Sequence, residues 1–177
     1  MPTAYSVRDV IVYTLLRLGG RVRGLKKLVK LVFLVQYEKS RLPLRKSIVK
    51  YMVGGKPAVR ADFVIWDYGP FSKEIYDVLE DESLFTIADL EPPVTVELTG
   101  EGRRLAEEAG ERLPRQLARR IDAVVERFGR LSGAKLAEYV YKMIDLTPSL
   151  KEEYLGVAVD KYLEDIGIRV KMIELTA

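Results

Sequence analysis

The chain contains no cysteine and no histidine among its 177 residues. The first absence rules out a disulfide framework, a thiolate zinc site and a cysteine nucleophile, and it fits a reducing cytoplasm, the expected location. The second removes the commonest general base together with the commonest transition-metal ligand, leaving carboxylates, lysines, tyrosines and serines for any chemistry. Long apolar runs are missing too. The strongest, Leu31 to Val35, is bracketed by Lys30 and Gln36 and falls far short of a bilayer span, so no membrane association is expected. The first six residues hold no apolar stretch of the kind a secretory leader needs, and Arg8 and Asp9 follow at once. These absences point away from an enzyme, and no cofactor and no metal is expected.

What the chain does have is charge, unevenly placed. Residues 1–60 carry fourteen Lys or Arg against two acids, whereas residues 61–101 carry one base, Lys73, against eleven acids. Residues 102–177 are nearly balanced, so the formal total of +3 conceals a dipolar chain. Clustered charge of one sign attracts partners of the other, which makes a binding module the natural class. With 48% hydrophobic residues the chain is long enough for one compact unit with a real core.

Ser6 and Asp9 have capping-box spacing, with Tyr5 and Val10 as a staple, and open a first helix to about Leu18. Gly19 and Gly20 end it, and a second, mostly buried helix is expected over Gly24–Tyr37 as the partner in a helix-turn-helix-like pair. Around Gly54-Gly55 the β-branched residues predict a hairpin of Ile48–Val53 with Val59–Trp66, which Tyr68-Gly69-Pro70 then breaks. Ser72 caps a short third helix over Lys73–Asp81, with Phe71 and Tyr76 at staple positions and expected in the core. Leu84–Asp89 and Val94–Leu98 read as a second hairpin or wing. Helices follow from Thr99 to Glu111, from Pro114 along the stripe Leu117, Ile121, Val124, Val125 and Phe128, from Ser132 to Ile144, and over Lys151–Asp165, before a closing strand within Ile166–Leu175. The expected class is therefore mainly α with small β-hairpins: a winged-helix-like core over residues 1–111 and a helical extension over 112–177 packed on it.

Gly19-Gly20-Arg21-Val22-Arg23-Gly24 has some of the glycine spacing of a phosphate loop, but Leu25-Lys26 follow where Lys and then Ser or Thr are needed, so glycines at a helix turn explain it. Glu74, Asp77, Glu80, Asp81 and Glu82 spread around a helix instead of converging as a hard cation requires. Arg21, Arg23, Lys26, Lys27 and Lys30 are the candidates for binding nucleic acid or another anion, since they gather on one basic face. A winged helix commonly sends its third helix into the major groove, yet here that helix is acidic.

Two stretches carry a family resemblance: Gly24-Leu25-Lys26-Lys27-Leu28-Val29-Lys30-Leu31-Val32-Phe33-Leu34, and Trp66-Asp67-Tyr68-Gly69-Pro70-Phe71-Ser72-Lys73-Glu74-Ile75-Tyr76. They resemble the Panacea or SocA-like domain and the related YwgA-like proteins, over about Ser6 to Leu79 and more loosely to Tyr141. The resemblance implies a mainly helical, winged-helix-like regulatory domain, an antitoxin or proteolytic adaptor in some relatives. The expected function is a non-catalytic regulatory binding module acting on a protein partner, with Trp66, Tyr68, Gly69, Pro70, Glu74 and Asp77 as candidate partner-binding residues. A DNA-binding regulator, dimeric through the Leu117–Phe128 stripe, is the alternative, and a magnesium-dependent hydrolase comes third.

Overall fold

The computed structural model describes residues 4–40 and 46–177. The first three residues, on which the expectation of no leader rests in part, lie outside them. In chain order the elements are α1 (Val7–Arg17), β1 (Arg21–Arg23), α2 (Leu25–Gln36), β2 (Tyr37–Lys39), β3 (Ser47–Val53), β4 (Lys56–Pro57), β5 (Val64–Trp66), β6 (Gly69–Phe71), α3 (Lys73–Leu79), β7 (Phe85–Asp89) and β8 (Thr95–Leu98). There follow α4 (Gly100–Arg112), α5 (Arg115–Phe128), α6 (Gly133–Met143), α7 (Pro148–Glu153), α8 (Val159–Asp165) and β9 (Arg169–Glu174).

The centre of the fold is α2, in which every residue from Leu28 to Gln36 is buried. A helix that is apolar almost all round must be enclosed by other elements, and α5, α6, β1, β2, β3 and β6 all contact it. Two cations tie α2 to α5. At the end of α2 the backbone carbonyls of the last turn lack intrahelical donors, and no basic residue of α2 lies there. Arg120 of α5 supplies the donors, its guanidinium bonding Leu34 O at 2.6 Å, Val35 O at 2.7 Å and the Glu38 carboxylate at 3.2 Å. In the other direction, Lys27 near the start of α2 donates to Gly129 O, at the C-cap of α5, at 2.7 Å. The two helices thus run antiparallel, each placing a cation on the other's negative end.

The capping box at Ser6 and Asp9 forms as expected. Asp9 is buried, and Arg112 at the end of α4 reaches its carboxylate. The stripe Leu117, Ile121, Val124 and Phe128 is also buried, within this one chain, so a dimer through it would require opening the core.

The strands depart from expectation. With 48% of the chain helical and 22% in strands, the fold is mixed α/β, not mainly α with small hairpins. The basic turn after α1 is a strand: β1 pairs antiparallel with β8, which pairs with β7, in the order β1-β8-β7. Gly54-Gly55 does turn the chain, but β3 meets only the short β4 there. Val64–Trp66 instead pairs with Gly69–Phe71 as a separate hairpin: the strand ends at Trp66 as expected, and Gly69-Pro70 carries the chain back along it. The physical reason lies in Gly69, whose φ of +91° suits a tight reversal that other residues resist.

The last expected helix divides at Gly156, φ +84°, into α7 and α8. Then β9 runs parallel to β3, Ser47 opposite Arg169 through Met52 opposite Glu174. The C-terminal part therefore contributes a strand to the sheet of β2, β3 and β4 besides its helices. No helix among the described residues is long and apolar enough to cross a membrane.

Replacing Arg120 with Leu removes donors from two helix-end carbonyls and leaves Glu38 without its ion pair. We expect a loss of roughly 3 kcal/mol, read as a lower urea midpoint with an unchanged slope.

Candidate functional site

The β5–β6 hairpin is held from three sides. Ile65 N donates to Val157 O at 2.9 Å, and Gly156 N donates to Ile65 O at 2.7 Å, docking the hairpin on the link between α7 and α8. At the Asp67-Tyr68 tip, Lys151 donates to Asp67 O at 2.8 Å. A Cβ at position 69 would lie 2.6 Å from Cε1 of Tyr141, so Gly69 is required by contact as well as by its φ. The tip carries two exposed aromatics, Trp66 and Tyr68. Beside them the rings of Phe71 and Tyr76 lie 5.0 Å apart, making the expected staple across the start of α3. Both rings are half-buried rather than deep in the core. Ser72 donates to the Glu74 carboxylate at 2.8 Å and makes no side-chain cap to the backbone of α3.

The basic candidates have separate fates. Arg21 pairs with Glu97 across β1 and β8. Lys27 is bonded to Gly129, and burial lowers its pKa. Lys30 is only 2% exposed and donates to Pro70 O at 3.1 Å, tying α2 to the hairpin. Desolvation first, and the neighbouring Lys26 second, bring its pKa from 10.5 down to about 8. Lys26 is exposed, with its ammonium 3.0 Å above the centre of the Tyr68 ring, a cation–π contact that pins the tip of the hairpin to α2.

These contacts surround a groove of about 780 Å³ lined by Arg23, Lys26, Lys27 and Lys30, by Tyr68 and Tyr76, and by Pro92, Pro93 and Val94 together with the start of α6. A recess of about 300 Å³ adjoins it, sharing Lys26, Lys30, Tyr68 and Tyr76 and adding Trp66, Gly69 and Pro70. The fold thus joins most of the basic candidates to most of the aromatic ones. Arg21, Glu74 and Asp77 stand outside both linings, with Asp77 exposed on α3. Among the described residues no three carboxylates are grouped so as to hold a metal ion.

A family model described as antitoxin SocA-like, Panacea domain, matches residues 28–143. The chain belongs to this family. No curated protein and no solved structure matches it. The Panacea match starts within α2 and ends with α6, so it takes in Lys30, the β5–β6 hairpin, the 92–94 segment and the N-terminus of α6, while Arg23, Lys26 and Lys27 lie just ahead of it. It begins later than the sequence resemblance implied, leaving α1 outside, and extends through the whole of α6.

Sequence reasoning missed the groove's third wall, Ser132, Gly133, Ala134 and Ala137. Ser132 was legible as a cap, and its side chain does accept from Lys135 N at 3.2 Å, but nothing local says which helix start meets α2.

Two outcomes are expected at this Panacea groove. Gly69→Ala should cost roughly 2–3 kcal/mol through its backbone angle and its collision with Tyr141, seen as a lower melting temperature. Lys30 gives up its proton near pH 8 when folded and near 10.5 when unfolded, so between those values the unfolded chain binds more protons and stability rises with pH. Lys30→Met lacks that rise. Its stability relative to the parent should therefore fall by about 3 kcal/mol between pH 7.5 and 10.5, measured by urea denaturation across that range.

Proposed function

We propose that this chain is a non-catalytic regulatory module, antitoxin-like or adaptor-like, that acts by holding a protein partner in the groove between α2, the β5–β6 hairpin and α6. The observation that carries the reading is the convergence of Lys26, Lys30, Tyr68 and Tyr76 on two adjoining cavities in a chain of the SocA-like Panacea family. Trp and Tyr are among the side chains that dominate protein interfaces, and Trp66 and Tyr68 are 44% and 55% exposed. The expected work of such a module is to sequester or present its partner, in the cytoplasm.

For the architecture, we read α1, β1, α2, α3 and the β7–β8 hairpin as a winged-helix-like arrangement into which β2 to β6 are inserted between α2 and α3. Support comes from the β1-β8-β7 order, with residues 112–177 wrapped around this core. Binding to DNA ranks second. The helix that would enter a groove, α3, bears Glu74 and Asp77 with Lys73 as its one base, and phosphates would be repelled there. Lys27 and Lys30 are turned to carbonyls of the chain itself, leaving Arg23 and Lys26 to meet a backbone.

The test is affinity isolation of the full chain from its native cells, tagged at either end in turn. A stoichiometric protein partner recovered with both tags is expected. Recovery of nucleic acid alone, or of no macromolecule, would overturn the reading.

A further inference from the structure

The groove is electrically one-sided. Four cations line it and no carboxylate does, although the whole chain has 26 acids against 29 bases. Four other bases of the first third are matched: Arg17 with Asp122, Arg21 with Glu97, Lys46 with Asp145 and Lys50 with Asp160. Among the described residues, none of Arg23, Lys26, Lys27 and Lys30 forms a salt bridge. Lys30 is the most costly of the four, because a buried ammonium held by one carbonyl recovers little of its lost hydration.

Two helix N-termini add to the same field. The first turn of α2, at Gly24 and Leu25, and that of α6, at Ser132 to Ala134, both line the groove, and a Cβ on Gly133 would sit 3.8 Å from Cβ of Lys27. Both helices exceed ten residues, so each presents a positive end. The other side chains of the lining are uncharged, among them Leu25, Tyr68, Tyr76, Val94 and Ala137.

Resting on the protein-partner reading above, we propose that the groove takes a short acidic segment of the partner, in which an Asp or Glu carboxylate lies next to a large apolar side chain. The carboxylate faces Lys26 and Lys30, and the apolar side chain lies against Leu25, Val94 and Ala137. A carboxylate fits because it compensates charge that the fold itself leaves unmatched, each ammonium having N–H donors to offer beyond its present contact. The volume suits several residues of chain, since a bare ion would leave the apolar walls wet. Single-stranded nucleic acid fits less well: it needs cations along a backbone track, and here the 92–94 and α6 walls carry none.

A random dodecapeptide library displayed on phage and panned against the immobilised full chain tests this. Enriched peptides should share an acid adjacent to Leu, Ile, Phe or Met, and a fluorescein-labelled peptide of that consensus should bind in solution by anisotropy. Lys26→Glu should weaken its binding at least about tenfold, and Ala134→Trp, which fills the groove, should do the same. Both positions are exposed, so parent-like circular dichroism is expected of both variants, with parent-like melting for Ala134→Trp and a small fall in melting temperature for Lys26→Glu, which gives up the contact with Tyr68. Arg119→Glu, on an exposed position of α5, should leave binding unchanged. No enrichment, enrichment of peptides without acids, equal binding to the Lys26 and Ala134 variants, or stronger binding of an oligothymidylate strand at physiological salt would each overturn the proposal. A native partner held equally by parent, Lys26→Glu and Ala134→Trp would overturn the acidic-segment inference alone. The general partner-binding reading fails only if the affinity isolation recovers no protein.

Discussion

The reciprocal bonding of α2 and α5 is the constraint on which the rest of the structure depends. Lys27 satisfies the end of α5 and Arg120 satisfies the end of α2, so the pair is fixed in direction and in longitudinal register. A helix buried on nearly every side can slide or rotate without changing its general hydrophobicity; polar bonds at both ends remove that freedom. Once α2 is fixed, Lys30 points at Pro70 and Lys26 at Tyr68, and the β5–β6 hairpin is positioned from α2 as well as from the link between α7 and α8. The groove is a product of that placement.

Charge segregation along the chain and charge segregation in space turn out to be different things. Among the described residues the basic first third finds its salt-bridge partners chiefly in the C-terminal part, through Asp122, Asp145 and Asp160, while Arg21 pairs with Glu97 of the acidic middle segment. The middle segment keeps acids exposed on α3 and along the β7–β8 hairpin, where Ile87 and Leu90 are exposed too. Of the bases left without a salt bridge among the described residues of the first third, Arg23, Lys26, Lys27 and Lys30 are gathered at the groove. A long-range dipole in sequence thus becomes a local, concave positive site, in which low-dielectric walls concentrate the field.

The helices were legible because their signals are local: the Ser6 and Asp9 box, the apolar period of α2, the stripe of α5 and the Ser132 cap each declare an element within a few residues. The β7–β8 hairpin was legible for the same reason. The parallel partnership of β3 with β9 was not, since Ser47 and Arg169 are joined by no local pattern and parallel pairing leaves no turn to recognise. Gly69 was seen as a turn residue, but its place as the first residue of a strand depends on Tyr141, far along the chain. At the groove, the cations and the hairpin aromatics were each visible as groups. Their convergence was not, and the spacing on α2 gave no sign that Lys26, Lys27 and Lys30 would separate into an exposed, a bonded and a buried side chain.

The parallel strand β9 has a consequence in the time order of synthesis. Until the ribosome has released the chain as far as Glu174, β3 has β2 and β4 as neighbours but lacks the strand that runs beside it over six residues. An unfilled strand edge is a template for any extended polypeptide nearby, and pairings this distant in sequence form late. A nascent chain therefore passes through an interval in which α2 can be enclosed by the helices up to α6 while its sheet still invites a foreign strand, and the arrival of β9 ends that interval.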